Sequence, residues 1–249
     1  IEDETGLKVE FQNATDYAAV IEAQRAGKAD IAAYGPFSYV TAKDTGVDTI
    51  AIATAADVEG EAPGYHSYGI VNPASGITSI EDFRGKTVCF VDPTSTSGYL
   101  YPSAGLIAAG IDPENDVTPV FAGGHDASVL AVKSGQCDAG FAYDTMVDDK
   151  LPNSGQLSPG EINVVWESEL IAKSPIAISG KLPAELREQL TDIFQNKLTR
   201  PALVEAGYCT DEESCELPDE VGYGYISVAD SAFDGVRAVC EQTKAKACS

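Results

Sequence analysis

Between residues 92 and 102 the chain reads Asp-Pro-Thr-Ser-Thr-Ser-Gly-Tyr-Leu-Tyr-Pro, with four hydroxyl side chains in succession and no acid after Asp92. Such a run can do chemistry where a helix begins. The first-turn N–H groups have no acceptor inside the helix, and the positive end of the helix dipole favours an anion. Together with the hydroxyls of Ser95, Thr96 and Ser97 they would form a pocket for a tetrahedral oxyanion that needs no Lys or Arg. The plainer alternative is a helix cap with spare serines, since Ser and Thr are ordinary capping residues. The flanks suit either reading. Thr87-Val88-Cys89-Phe90-Val91 is β-branched and apolar, as a buried strand requires, and residues 103–109 are small and helix-compatible.

Those elements belong to a chain of 249 residues, 44% of them hydrophobic, long enough for two compact α/β lobes or one large domain. With 16 basic and 39 acidic residues the net charge is -23, which excludes non-specific nucleic-acid binding. An anion must be held against that field by short-range dipoles and hydrogen bonds. Six cysteines without a C-x-x-C pair argue against structural zinc and for disulfides in an oxidising compartment. Cys209 and Cys215 bracket an acidic loop, and Cys240 and Cys248 bracket the last turns, so each pair is expected as a local staple. Cys89 and Cys137 are expected to join neighbouring strands of one sheet, among 15 possible connectivities.

Helical and strand patterns alternate, which predicts sheets of βαβ units, mostly parallel. A helix is expected over 17–26, stopped by Gly27, then a strand over 30–34 running into Gly35-Pro36-Phe37-Ser38-Tyr39. The same layout returns as a helix over 126–134, Gly135, a strand over 138–143, and Asp144-Thr145 opening a further helix. Gly-x-x-Asp at 27–30 and at 135–138 is too short to separate duplication from shared helix-stop chemistry. Residues 62–71 and 171–178 read as crossovers, so 1–67 with 174–249 are expected as one lobe and 68–173 as the other. The ligand cleft would lie between the carboxyl ends of their sheets. At the start, residues 1–6 read as the last turn of a helix stopped by Gly6, followed by a strand over 7–11. A strand and most of a helix are expected before Ile1.

Asp92-Pro93-Thr94-Ser95-Thr96-Ser97-Gly98, with Thr15-Asp16-Tyr17, Gly35-Pro36-Phe37-Ser38-Tyr39, Gly64-Tyr65-His66-Ser67 and Gly123-Gly124-His125-Asp126, resembles the phosphate-, phosphite- and phosphonate-binding proteins of ABC importers. The resemblance spans about residues 6 to 180 and leaves out the disulfide-rich tail after Tyr208. It implies a type II periplasmic-binding fold that closes on its ligand like a hinged trap. It puts a phosphorus oxyanion on Ser95, Thr96, Ser97 and His125, with Tyr17 and Tyr65 closing from the other side. It also implies an extracytoplasmic monomer in the cell envelope or periplasm, lipid-anchored through a segment outside this chain and serving a membrane permease, with no cofactor or metal. Read from the residues alone, His125 could equally cap a helix, and Tyr17 and Tyr65 could be packing residues.

Asp144 departs from a generic anion site. A carboxylate facing an anion is repulsive unless the ligand donates a proton to it, so a P–OH group would turn repulsion into a charge-assisted hydrogen bond. Alternatively Asp144 caps the next helix. Aminoalkylphosphonate binders carry a further acid near the return crossover, where Ser174 stands here in Ala172-Lys173-Ser174-Pro175. Inorganic phosphate is therefore the expected ligand, ahead of phosphite or a small alkylphosphonate. Two rivals come from other classes. An enzyme on the same fold lacks a nucleophile–base pair, a metal-spaced cluster and, at Arg84-Gly85-Lys86-Thr87, the upstream glycine of a P-loop. An anion-sensing module for a membrane receptor would carry the same residues as an importer component.

Overall fold

A computed structural model describes residues 1–218 and 222–248. The chain is α/β and divides into two compact units, residues 1–63 with 172–234 and residues 64–171 with 235–249. In the first unit four strands lie in the order Ile31–Ala33, Pro175–Ser179, Thr49–Ala56, Gly224–Ser227, every pair antiparallel. In the second, five strands lie in the order Thr118–Phe121, Thr87–Phe90, Ala139–Tyr143, Ser67–Val71, Asn163–Glu167. The first three of these are parallel, and the last two pairings are antiparallel.

The expectation of mostly parallel sheets is thus corrected: the pairings are all antiparallel in the first unit's sheet and mixed in the second's. A chain that leaves a sheet after one strand and re-enters it from another unit comes back in the opposite direction. Pro175–Ser179 does so beside Thr49–Ala56, while Ser67–Val71 and Asn163–Glu167, the strands on which the chain enters and leaves the second unit, pair antiparallel with each other. Among the described residues, parallel strands pair directly with each other in the uninterrupted βαβ run from Thr87 to Tyr143, because each helical crossover restores the direction.

Within that run the period-2 alternation of strands sorts side chains to two faces. Val88, Phe90, Val71 and Phe141 pack with Ile80, Phe83, Leu106 and Ile111 on one face. Cys89, Ile70 and Ala142 pack with Val129, Val132, Val147 and Leu151 on the other. Each fully buried Val, Leu, Ile or Phe contributes roughly 1.5–3 kcal/mol, so both faces hold the strand ends firmly in place. Cys89–Cys137 is paired as expected, although Cys137 lies just before the neighbouring strand Ala139–Tyr143 and not in it, and Cys209–Cys215 and Cys240–Cys248 are the two local staples. Closing the 48-residue separation between Cys89 and Cys137 removes unfolded-chain freedom worth about 4 kcal/mol.

The helices expected at 17–26 and 126–134 are Tyr17–Arg25 and His125–Lys133. They end before Gly27 and Gly135, both in the left-handed region with φ of 70° and 77°. Two expectations fail. Residues 7–11 form no strand, because no neighbouring strand takes their backbone groups among the described residues, and Phe11 is 86% exposed. Residues 235–249 belong with the second unit instead of the first, where Lys246 pairs with Glu114 (2.9 Å) beside the helix Tyr101–Ala108.

Candidate functional site

Three parallel strands of the second unit end at one edge of its sheet, and the residues just past their carboxyl ends are the sequence-predicted ones. Thr87–Phe90 leads to Ser95, Thr118–Phe121 to His125, and Ala139–Tyr143 to Asp144. Register brings them level: Phe90 pairs with Phe121 and Cys89 with Gly140. The antiparallel strand Ser67–Val71 begins at the same edge, with Ser67 opposite Tyr143, so Tyr65 and His66 arrive there as well. Open α/β sheets bind ligands at this kind of edge.

The hydroxyl run opens a helical turn, Thr96–Leu100, that passes directly into Tyr101–Ala108. Ser95 is its cap. Its Oγ accepts the N–H of Gly98 at 3.1 Å, and its carbonyl accepts from the N–H of Leu100 at 3.0 Å. Gly98 is required sterically: a side chain there would collide with Val91 and lie 2.7 Å from Ser95 Oγ. Asp92 turns away from the run, its Oδ1 accepting from the N–H and hydroxyl of Thr94, each at 2.7 Å. Ser95, Thr96 and Ser97 are all buried. The Ser97 carbonyl accepts from Ser67 Oγ at 2.6 Å, and Ser67 N–H donates to Ser168 Oγ at 2.9 Å. A buried hydroxyl chain therefore fixes the turn against the strand edge.

His125 begins its helix directly behind Ser95, with Nε2 3.4 Å from Ser95 Oγ. Its Nδ1 accepts the N–H of Tyr143 at 3.3 Å, which leaves the ring proton on Nε2. Burial, reinforced by the Lys150 ammonium, pushes the imidazole down to about 3, so the ring is neutral near pH 7. Ser95 Oγ already takes Gly98 N–H and faces the Nε2 donor, so its own proton is directed elsewhere. With both imidazole nitrogens engaged, the pair carries no formal charge and offers one outward donor, the Ser95 hydroxyl, which the His125 Nε2–H orients.

The Asp144 carboxylate does not cap a helix further along. Its Oδ2 accepts the N–H of His66 and its Oδ1 the N–H of the adjacent Thr145, both at 2.8 Å. Burial raises its pKa, against those two hydrogen bonds, which pull it down. The carboxylate is held at the shared edge, half-buried and inclined toward accepting a proton. Tyr65 is half-buried in the segment Gly64–Tyr65 of the same unit. Tyr17 lies in the first unit, at the first position of a helix capped by Asp16, which accepts Ala19 N–H at 2.8 Å.

The sequence reading missed Ser67, Ser168, Tyr143 and Lys150. Tyr143 packs edge-on against His125 at 4.5 Å between ring centroids, and Lys150 Nζ lies over Tyr143, 5.7 Å from its centroid. Ser67 and Ser168 enter through antiparallel pairing across about a hundred residues, a signal no local pattern carries. Tyr143-Asp144 at the end of a strand could have been read as a pair. Among the described residues no three His, Cys, Asp or Glu side chains converge as metal ligands.

The sequence matches the family described as "ABC transporter, phosphonate, periplasmic substrate-binding protein" over residues 1–202. It is 43% identical over 256 residues to the phosphate-import protein PhnD of Mycolicibacterium smegmatis, covering 100% of this chain and 79% of that protein. To the phosphonates-binding periplasmic protein of Escherichia coli it is 34% identical over 200 residues, covering 79% of this chain but only 58% of that protein. The fold superposes with a TM-score of 0.80 and 25% identity on a crystal structure of a binding-protein component of an ABC phosphonate transporter from Pseudomonas aeruginosa, covering 98% of this chain and 78% of that one. The fold is thus the two-lobed type II periplasmic-binding fold. By these matches, the chain belongs to the phosphonate periplasmic substrate-binding family of ABC transporters.

Proposed function

We propose that this protein captures inorganic phosphate for an ABC importer, on Ser95, Thr96, Ser97, His125 and Asp144 of the second unit, with Tyr17 and Tyr65 as further ligand contacts. The observation that carries the choice of ligand is Asp144. Its carboxylate sits on the same strand edge as Ser95 and the neutral His125, with its pKa raised by burial. Near neutral pH inorganic phosphate always retains a P–OH to donate to such a group. Dianionic phosphite and alkylphosphonates have none, and sulfate has none at all. The name of the mycobacterial relative, a phosphate-import protein, supports the same ligand. A lipid-tethered monomer that delivers its ligand to a membrane permease and performs no catalysis is the form of the protein this reading implies.

Asp144→Asn tests it. The amide is a poorer acceptor and turns a donor toward a group that already donates, while the repulsion of sulfate disappears. The ratio of phosphate to sulfate affinity should fall by more than about tenfold, equivalent to about 1.4 kcal/mol. An unchanged ratio would leave Asp144 as a strand-edge clasp and remove the preference for phosphate.

A further inference from the structure

The site assigned to phosphate contains no cation, yet the ligand is an anion and the chain carries a net charge of -23. One cation stands immediately behind it. The turn Met146–Lys150 follows Asp144-Thr145 and brings Lys150 Nζ over the face of Tyr143 at 5.7 Å from the ring centroid. The edge-on contact of Tyr143 with His125, 4.5 Å between centroids, completes a column of ammonium, phenol and imidazole. The column places the ammonium within about 10 Å of the imidazole, comparable with the screening length at physiological salt. Lys150 is half-buried, which reduces the screening of its charge by solvent.

Acids surround the same elements. Asp148 and Asp149 flank Lys150 in its turn, and Asp148 accepts the Tyr68 hydroxyl at 3.0 Å. Glu167 lies 3.3 Å from His66 Nδ1. These charges oppose the approach of an anion, and the Lys150 ammonium, held over the Tyr143 ring that packs on His125, offsets them. The same ammonium is the second cause, after burial, that keeps His125 unprotonated.

We propose that Lys150 is an affinity-determining residue of this site, a counter-charge held over the Tyr143 ring beside His125 that draws the oxyanion onto the Ser95–Ser97 hydroxyls from a distance. The inference rests on the phosphate reading. A unit charge roughly 10–15 Å from the ligand changes affinity by between about 1.5-fold and fifteenfold per ligand charge, as the effective dielectric runs from that of water to that of a protein margin.

Calorimetry with inorganic phosphate at one pH, at low and at high sodium chloride, decides it for wild type, Lys150→Met and Lys150→Arg. Lys150→Met should weaken phosphate binding several-fold at low salt and show a shallower loss of affinity with added salt. Lys150→Arg, which keeps the charge, should stay within about twofold of wild type. Two results would overturn the proposal: unchanged affinity in Lys150→Met, or an equal loss in both variants with the wild-type salt slope, which would mark packing instead of charge. Wild type failing to bind phosphate would bring down the ligand assignment itself. Wild type binding normally while Lys150→Met matches it would bring down this inference alone.

Discussion

His125 places a pH dependence on stability that can be worked from its surroundings. Burial first, and Lys150 second, push its imidazole down to about 3, whereas the unfolded chain returns it to an ordinary value of about 6.5. The folded value is the lower one, so between these limits the unfolded state binds the extra proton. The contribution to stability is complete above about pH 6.5 and is lost as pH falls toward 3. At pH 5 the unfolded imidazole is almost fully protonated and the buried one is not, a loss of about 2 kcal/mol relative to pH 7.5. Any folded value below about 4 gives nearly the same figure, because the proton is then bound almost only by the unfolded chain. The assay is denaturant unfolding of wild type and His125→Gln followed by the fluorescence of Trp166, the only tryptophan, which lies in the unit that holds His125. Comparing the two proteins cancels the carboxylates that titrate in the same range. The stability of wild type relative to His125→Gln should drop by about 2 kcal/mol between pH 7.5 and pH 5. A difference that stays constant would mean that the folded imidazole charges freely, and the neutral Nε2 donor assigned to it would have to be given up.

Other consequences are simpler to read. Ser97→Ala and Thr96→Ala should each weaken phosphate binding by roughly 1–3 kcal/mol, the cost of leaving a charged partner one hydrogen bond short; calorimetry showing wild-type affinity in both would return the run to a plain helix cap. With all six cysteines paired, thiol titration under denaturing, non-reducing conditions should find none reactive. A reactive thiol there would contradict the pairing and the oxidising compartment it implies.

Much of both units was legible because the signals are local. The β-branched run before Asp92, the hydroxyls after it and the glycines at 27 and 135 each act within a few residues, so strand, turn and helix stop could be placed where they occur. The disulfides were legible for a related reason: two are short-range, and the third follows once Cys89 and Cys137 are put on neighbouring strands. Strand direction was not, because periodicity carries no polarity and the antiparallel pairs arise where the chain crosses between units. The apolar alternation of Leu7, Val9 and Phe11 reads as a strand in isolation, but a strand needs a partner to take its backbone hydrogen bonds. Lys150 was missed because a helical turn, and not a motif, carries it over Tyr143. The Ser67–Ser97 and Ser67–Ser168 bonds join residues 30 and 101 positions apart.

The central claim is that the edge formed by Ser95, Thr96, Ser97, His125 and Asp144 holds a phosphorus oxyanion and prefers inorganic phosphate. Isothermal titration of ligand-stripped protein with phosphate, phosphite, methylphosphonate, 2-aminoethylphosphonate and sulfate at near-neutral pH tests it in one series. Phosphate should bind tightest, phosphite and methylphosphonate more weakly, the aminoalkyl compound weakly because Ser174 stands where an acid would hold its ammonium, and sulfate not measurably. Sulfate bound as tightly as phosphate, or no heat with any phosphorus oxyanion, would contradict it.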